Sequence, residues 1–354
     1  MEYPSIYKKT GRPDLRQSYG SKRLFACVSA AVARTSVLHY LYHLSILISC
    51  PAFFLVSCIK ASPEEEIQVP ARFRISSAAE TDGRVLDFLF FDDDPLGRLD
   101  SFSRTVCTDG AATGTVCGSG KKIIVAVSSE GRDLYDYADI RDYKTLSSKE
   151  RDFREEDPSL PSLSGQTRSG EAAIRLLPLL AKIRINSLLA DFHSHPYSAS
   201  PMENVRIYLT NIPASSPILG ERDSPPSAWL NLGGFFEEDA SSLEHPEMIF
   251  STAGNVGREV VFTGTELYCF PSGVTVEAFG APLSKLVFEA VIDGETWYYP
   301  ILLKGLERGR MYSLDITFTG KGTKDPETPV SREDILISTS IIPWTEKENI
   351  TVLF

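Results

Sequence analysis

The stretch Met311-Tyr-Ser-Leu-Asp-Ile-Thr-Phe-Thr319 decides the fold class, because apolar and polar residues alternate along it. Successive side chains of a β-strand point to opposite faces, so the alternation predicts a strand with one face buried and the other in water. Half-buried strands of this kind are typical of antiparallel sheets. The apolar face of the stretch consists of Tyr312, Leu314, Ile316 and Phe318.

Strand-like patterns recur along the chain, separated by Gly, Pro, Asn and Asp residues that favour turns. Only residues 145–154 have a helical composition. No segment alternates strands with long amphipathic helices, which excludes a doubly wound α/β fold. The sequence therefore predicts an all-β protein built from β-sandwiches. The other candidate strands are residues 71–76, 85–92, 123–128, 174–185, 205–210, 259–269, 274–279, 286–292, 297–303, 335–342 and 350–354.

The chain has 354 residues, which suggests two domains at about 150 residues each. The least structured part of the sequence runs from residue 193 to residue 204, between two groups of predicted strands. We therefore expect one sandwich over residues 69–195 and a second over residues 196–354. A leader over residues 1–57 and a polar tether over residues 58–68 precede them.

The charge balance excludes several classes of protein. Lys and Arg together number 36 and Asp and Glu number 47, which gives a net charge of −11. An acidic chain without a basic patch repels phosphate backbones, so we expect no nucleic-acid partner. The 5 His and 6 Cys residues are scattered along the chain, and we expect neither a resident metal nor another cofactor.

The leader has the organisation of an export signal. A basic start is followed by an uncharged run from Leu44 to Val56, 13 residues long. A membrane-spanning helix needs about 20 apolar residues, whereas the core of a signal peptide needs about 7–15. The run therefore predicts a signal peptide over residues 1–57.

The run ends Leu55-Val-Ser-Cys58, which resembles the lipobox of bacterial lipoproteins. In that motif the cysteine receives a diacylglycerol and becomes the first residue of the mature chain, so the resemblance implies lipidation of Cys58. Several acyl chains together hold a soluble domain firmly at a membrane. The alternative is a plain secretory signal in which Cys58 occurs by chance.

Cys107 and Cys117 flank the glycine-rich segment Thr108-Asp-Gly-Ala-Ala-Thr-Gly114, as the two arms of a hairpin would. An exported protein enters a compartment that permits disulfides. Two alternatives remain open at this point: a bridge between Cys107 and Cys117, or two unpaired thiols.

The segment His193-Ser-His-Pro196 resembles the zinc-binding motif of JAMM-type isopeptidases, in which two imidazoles share a zinc ion. That family continues with a Ser and an Asp, but Glu203 and Arg206 occupy the corresponding positions here. An arginine is a poor zinc ligand. Exposed loop histidines are the better interpretation, and a metallohydrolase that uses His193 and His195 is a remote alternative.

The acidic run Asp92-Asp-Asp94 lacks the spaced oxygen ligands and the closing Glu of a helix–loop–helix calcium site, so we interpret it as a polar turn. The sequence also contains no nucleophile elbow, no phosphate-binding loop and no dinucleotide-binding glycine pattern. We therefore expect a protein that is not an enzyme.

Several segments in order resemble the fimbrillin superfamily of Bacteroidetes, on its minor-subunit and anchor side. The resemblance covers nearly all of the chain after the leader. Each motif is weak alone, and their order carries the resemblance. The segments are the lipobox Cys58, Arg84-Val-Leu-Asp-Phe-Leu-Phe-Phe-Asp92, Lys122-Ile-Ile-Val-Ala-Val127, Pro161-Ser-Leu-Ser-Gly165, Arg175 to Ile185, Val205 to Pro213, Glu307 to Gly320, and Ile342-Pro-Trp344.

The resemblance implies two transthyretin-like β-sandwich domains in tandem, export as a lipoprotein, and assembly into surface fimbriae or anchoring of them at the outer membrane. The implied partners are other fimbrial subunits and ligands on host or bacterial surfaces. In polymerising members, cleavage after an arginine removes an N-terminal strand, and a strand of another subunit fills the groove. The candidate cleavage sites here are Arg72, Arg74 and Arg84.

An alternative of a different class is a stand-alone surface lipoprotein that binds a glycan or a protein ligand. Trp229, Trp297 and the pair Tyr298-Tyr299 supply aromatic rings that can stack on sugars. Aromatic residues on strands more often pack in the core or against a cross-strand neighbour. We therefore favour the fimbrial interpretation.

Overall fold

The structure is a computed structural model that describes residues 69–77, 81, 83–128, 137–171, 173–220, 222 and 224–344. The leader, Cys58, the tether and the candidate strand 350–354 lie outside the described residues. Strands dominate the described part, which confirms the all-β prediction. They are β1 Val69–Ser77, β2 Val85–Asp92, β3 Leu99–Val106, β4 Ala111–Val116, β5 Lys122–Ser128, β6 Glu150–Asp152, β7 Leu163–Arg168, β8 Ala173–Pro178, β9 Ala181–Ala190, β10 Met202–Thr210, β11 Ile212–Pro213, β12 Ser215–Pro217, β13 Trp229–Leu230, β14 Phe250–Val256, β15 Val261–Cys269, β16 Lys285–Ile292, β17 Glu295–Leu302, β18 Arg310–Phe318 and β19 Ile335–Pro343.

Strands β1 to β5, β7 and β8 form one sheet in the order β3-β2-β5-β7-β8-β1-β4. The first and last strands of this order also meet, because Ser101 Oγ of β3 donates to the Thr115 carbonyl of β4 at 2.9 Å. Strand β2 is buried on both faces: Phe88 packs inside the sheet, and Leu89 packs on its outer side. The continuous apolar run of β2 follows from this double burial.

The remaining long strands form two four-stranded sheets, β14-β10-β16-β17 and β15-β9-β18-β19. Their facing sides share one apolar cluster, to which β9 contributes Ile183, β10 contributes Ile207, β16 contributes Phe288 and β18 contributes Phe318. Two sheets that face each other across such a cluster form a β-sandwich. The stretch that opens the sequence analysis is β18 of this sandwich, and its even-numbered apolar residues are buried as predicted.

Residues 174–185, predicted as one strand, form two strands of different sheets. Pro178 has no N–H to donate, and the chain leaves the first sheet after it. Strand β9 then pairs with β15 and β18 of the sandwich. The division into sandwiches 69–195 and 196–354 stays a prediction, although the change of sheet between Pro178 and Ala181 precedes the predicted border.

Contacts join the two groups of strands. The short strands β6 and β12 pair antiparallel, with Arg151 opposite Ser216. Ile218, which follows β12, packs in the cluster on the outer side of β2 and β5. Glu65–Phe354 accordingly forms one compact unit.

Two local predictions are wrong. Residues 145–154, which have a helical composition, do not form one helix: helix α1 spans Tyr143–Ser147, capped by Asp142. Strand β6 follows because it pairs with β12, and a 3-10 helix then spans Phe153–Glu155. Residues 274–279 form a loop rather than a strand. A second short helix, α2, spans Glu237–Ser241. Among the described residues no helix has the length and the apolar character needed to cross a membrane.

Candidate functional site

Strand β1 lies inside the first sheet, between β8 and β4. It pairs antiparallel with β4, from Val69 opposite Val116 to Arg74 opposite Ala111. On its other side it pairs parallel with β8, where Ile75 lies opposite Ile174. The N-terminal strand of the described chain therefore satisfies the backbone groups of two other strands at once.

The position of β1 determines what its removal would expose. Without β1, β4 would lose its pairing with Val69 to Arg74, and β8 would lose its pairing with Arg74 to Ser77. Unpaired strand edges of this kind bind an added strand. Strand β1, nine residues long, occupies this position in the sheet.

The three candidate cleavage sites lie in this strand or just after it. Arg72 and Arg74 belong to the ladder between β1 and β4. Arg84 immediately precedes β2 and is buried, with 7% of its surface exposed. Its Nη1 donates to the Pro161 carbonyl oxygen at 2.9 Å. A cut after Arg84 would release the whole of β1, whereas a cut after Arg72 or Arg74 would release only its first part.

A buried ion-pair network fixes the end of β4 beside β1. Lys122 Nζ contacts Asp92 Oδ1 at 2.7 Å and Asp100 Oδ1 at 3.0 Å. Asp100 Oδ2 accepts hydrogen bonds from the backbone N–H groups of Cys117 and Gly118, each at 3.1 Å. Burial alone would raise the pKa of Asp100, but these hydrogen bonds and the Lys122 charge lower it. This network was not predicted from the sequence. The lysine at the start of β5, directly before an apolar run, is the feature that indicates it.

Local hydrogen bonds and the ion pair with Lys122 account for two of the acidic residues in the turn after β2. Asp94 Oδ1 accepts hydrogen bonds from the backbone N–H groups of Leu96 and Gly97, at 2.9 and 2.7 Å. Asp92 pairs with Lys122. These two carboxylates are therefore used within the turn, as the polar-turn interpretation predicts.

Cys107 lies at the turn of the hairpin formed by β3 and β4, and Cys117 lies at the far end of β4. The turn is tight, because Thr108 and Ala111 exchange backbone hydrogen bonds. Strand β4 then continues for 6 residues before Cys117. At about 3.3 Å per residue this length exceeds the limit of about 7 Å between the Cα atoms of a disulfide. A bridge between Cys107 and Cys117 would therefore need a movement of the backbone.

The two loop histidines do not converge on one point. His193 Nδ1 contacts Asp191 Oδ1 at 2.8 Å, and this contact lowers the pKa of Asp191. The His195 ring instead stacks on Tyr197, with the ring centroids 4.9 Å apart. The described residues contain no group of three or more potential metal ligands. The loop-histidine interpretation agrees with this geometry.

The aromatic residues considered for sugar stacking are mostly covered. Tyr299 is fully buried, and its hydroxyl donates to the Gly320 carbonyl oxygen at 2.7 Å. Lys324 Nζ lies 3.5 Å from the centroid of the Trp297 ring. Trp229 packs against a small apolar cluster. No described pair of these rings offers an open platform for a sugar.

No protein-family model and no curated protein sequence matches the chain. Solved structures do match it. A protein described as a putative cell adhesion protein from Bacteroides eggerthii is 16% identical, with a TM-score of 0.54 over 78% of this chain and 96% of the other. A second protein of that description, from Parabacteroides distasonis, is 12% identical, with a TM-score of 0.56 over 79% of this chain and 98% of the other.

A fimbrilin from Porphyromonas gingivalis is also similar. It is 14% identical to this chain, with a TM-score of 0.51 over 78% of this chain and 97% of the other. Identities this low establish the fold alone. This chain therefore shares its all-β fold with a group of solved proteins that includes a fimbrilin, which confirms the expected all-β class, while the tandem arrangement of two sandwiches stays a prediction.

Proposed function

We propose that this protein is a structural or adhesive component of cell-surface fimbriae and has no enzymatic activity. The fold shared with a fimbrilin supports this proposal. The lipobox resemblance at Cys58 adds export as a lipoprotein and attachment to the outer membrane. Its partners are then other fimbrial subunits and, at an adhesive position, ligands on host or bacterial surfaces.

The single observation that carries the proposed mode of assembly is the place of β1 between β8 and β4. We propose that a strand of another subunit takes this place after β1 leaves. Backbone hydrogen bonds to β4 and β8 would supply affinity, and alternate side chains would fix the register. The network of Lys122 and Asp100 keeps β4 in position while the site is empty.

Cleavage would have to accompany a local opening of the sheet. Arg72 and Arg74 lie in a hydrogen-bonded ladder, and the Arg84 side chain is buried. A protease cuts such a segment only while it is transiently open. A cut at any of the three sites also separates the lipid on Cys58 from the sheet. A lipid-anchored copy would therefore retain β1, and a polymerised copy would lose it.

The proposal is tested by fractionation of cells that express the protein with an internal epitope tag. Fimbriae sheared from the cells are purified and probed for the tag, and a cytoplasmic enzyme serves as the contamination control. We expect the tag in the fimbrial fraction together with other fimbrial subunits. A protein absent from the fimbrial fraction and also absent from outer-membrane complexes that contain fimbrial subunits would contradict the proposal.

A further inference from the structure

A cavity of about 550 Å³ lies between the β7–β8 hairpin and three loops of the sandwich. Its volume falls within the range of about 300–1,000 Å³ that is usual for small-molecule sites. Three arginines line it, in a chain whose net charge is −11. They come from separate parts of the sequence: Arg175 from β8, Arg222 from the loop after β12, and Arg308 from the loop before β18.

Arg222 is largely buried, since 9% of its side chain is exposed. Its Nη2 donates to the Ser215 carbonyl oxygen at 2.5 Å, and its Nη1 lies 3.4 Å from Glu150 Oε1. Its Nε is buried, and no described residue accepts a hydrogen bond from it. Burial lowers the pKa of Arg222, and the Glu150 charge opposes the shift. A buried donor without an acceptor is costly, so an added acceptor here would be favourable.

A second cavity, of about 280 Å³, adjoins the first at Arg222 and Gly273. Ser224, Ser272 and Thr275 contribute hydroxyl groups to its lining. Arg222 therefore lines both cavities: the first, which contains three arginines, and the second, which contains several hydroxyl groups. A ligand with one anionic group and several hydroxyls would find a partner for both.

We infer that the joined cavities bind a small acidic saccharide, whose carboxylate or sulfate group is held by Arg222 and Arg175. A guanidinium donates parallel hydrogen bonds to planar oxyanions, which explains why arginine is the common residue at such sites. The side chain of Arg175 is exposed and can reach the ligand without breaking a packed contact. Arg175 lies in β8 opposite Ser76 of β1, but the inference does not rest on the proposed fimbrial function.

The test is isothermal titration of the purified mature protein with a uronic-acid disaccharide, a sulfated disaccharide, a neutral disaccharide and inorganic sulfate, all at one ionic strength. We expect saturable binding of at least one acidic disaccharide and none of the neutral one. Arg222→Gln and Arg175→Gln should each weaken that binding about tenfold, the value of one charge-assisted hydrogen bond. The control is Arg168→Gln, whose side chain is 72% exposed outside the cavity and which should bind like the parent.

Arg175→Gln keeps the test valid if Arg222→Gln fails to fold, because Arg175 is exposed. Glu307 also lines the cavity, so Glu307→Gln tests whether the cavity is open to anions in the parent protein. Binding that occurs only in this variant would overturn the inference. Equal loss in the Arg168→Gln control, equal binding of the neutral disaccharide, or no saturable binding by any acidic disaccharide would overturn it as well.

Discussion

Arg308 is hydrogen-bonded to Ser164, which lies 144 positions earlier in the chain. Its Nη1 donates to Ser164 Oγ at 3.0 Å and its Nη2 to the Ser164 carbonyl oxygen at 2.7 Å. Nη1 also donates to the Leu219 carbonyl oxygen at 2.6 Å. Because Ser164 lies in β7, one guanidinium joins the loop before β18 to the first sheet. Together with the pairing of β6 and β12, this contact makes the two groups of strands one unit.

We predict that Arg308→Ala lowers the free energy of unfolding by about 2–4 kcal/mol, because it removes several charge-assisted hydrogen bonds and leaves buried acceptors unpaired. Urea unfolding followed by circular dichroism measures the change. Arg310→Ala is the matched control, since its ion pair with Glu307 is exposed and such pairs contribute little. An Arg308→Ala protein as stable as the Arg310→Ala protein would contradict the role of this contact.

A second prediction concerns Asp100. Its pKa in the folded protein is lower than the ordinary value of 3.8, so the carboxylate stabilises the fold above that pH and this contribution is lost as the pH falls below it. Asp100→Asn should lower the free energy of unfolding at pH 7 by about 1–3 kcal/mol. The difference from the parent should shrink at pH 3, and urea unfolding at both pH values checks this.

The control for that experiment is Asp139→Asn, because Asp139 forms an exposed ion pair with Lys149. We expect it to behave like the parent at both pH values. A constant difference between the Asp100→Asn protein and the parent from pH 7 to pH 3 would show that the charge of Asp100 is not what stabilises the end of β4.

The third prediction concerns the two cysteines of the β3–β4 hairpin. Alkylation of unreduced, denatured protein should label both Cys107 and Cys117, because the length of β4 holds them too far apart for a disulfide. In the native protein Cys117 should react first, since Cys107 is buried with 1% of its surface exposed. Mass spectrometry of the labelled peptides measures both rates. A linked pair of unlabelled peptides would show that the bridge forms after all.

Strands were predicted best from the sequence where the order of apolar and polar residues depends only on which side chains are buried. The apolar run of β2 and the alternation of β18 both reflect contacts with the core, and the predicted and observed ranges nearly coincide. Strands β3 and β4 were missed because their residues are mostly small or polar and their outer faces are exposed. Their pairing depends on partners that are distant in the sequence.

The wrong predictions share one cause: a local sequence pattern does not show which distant segment, if any, will pair with it. Residues 274–279 alternate like a strand, but Val274 packs in a small cluster and no described strand pairs with the segment. Residues 150–152 resemble the end of a helix, yet they pair with β12. At the candidate site the arginines were predicted from the sequence, whereas the place of β1 between β8 and β4 required the structure.

The fourth prediction concerns the lipid. Cys58→Ala should give a folded protein that no longer sediments with outer membranes, because the proposed acyl chains are its anchor. Fractionation after a high-salt wash measures the attachment, and circular dichroism checks the fold. Ser62→Ala, in the tether and outside the lipobox, serves as the control. Membrane attachment of the Cys58→Ala protein after the wash would contradict the assignment.

The central claim, that another subunit's strand replaces β1, is tested most directly by locking β1 in place. Val69 and Val116 lie opposite each other in the β1–β4 ladder, so Val69→Cys with Val116→Cys allows a disulfide between the strands. A Cys117→Ser background removes the neighbouring thiol. The measurement is incorporation of this variant into fimbriae under oxidising and reducing conditions, with the single Val116→Cys variant as control. We predict that the oxidised variant stays out of fimbriae and that reduction restores its incorporation, whereas equal incorporation of the locked and reduced forms would contradict the account.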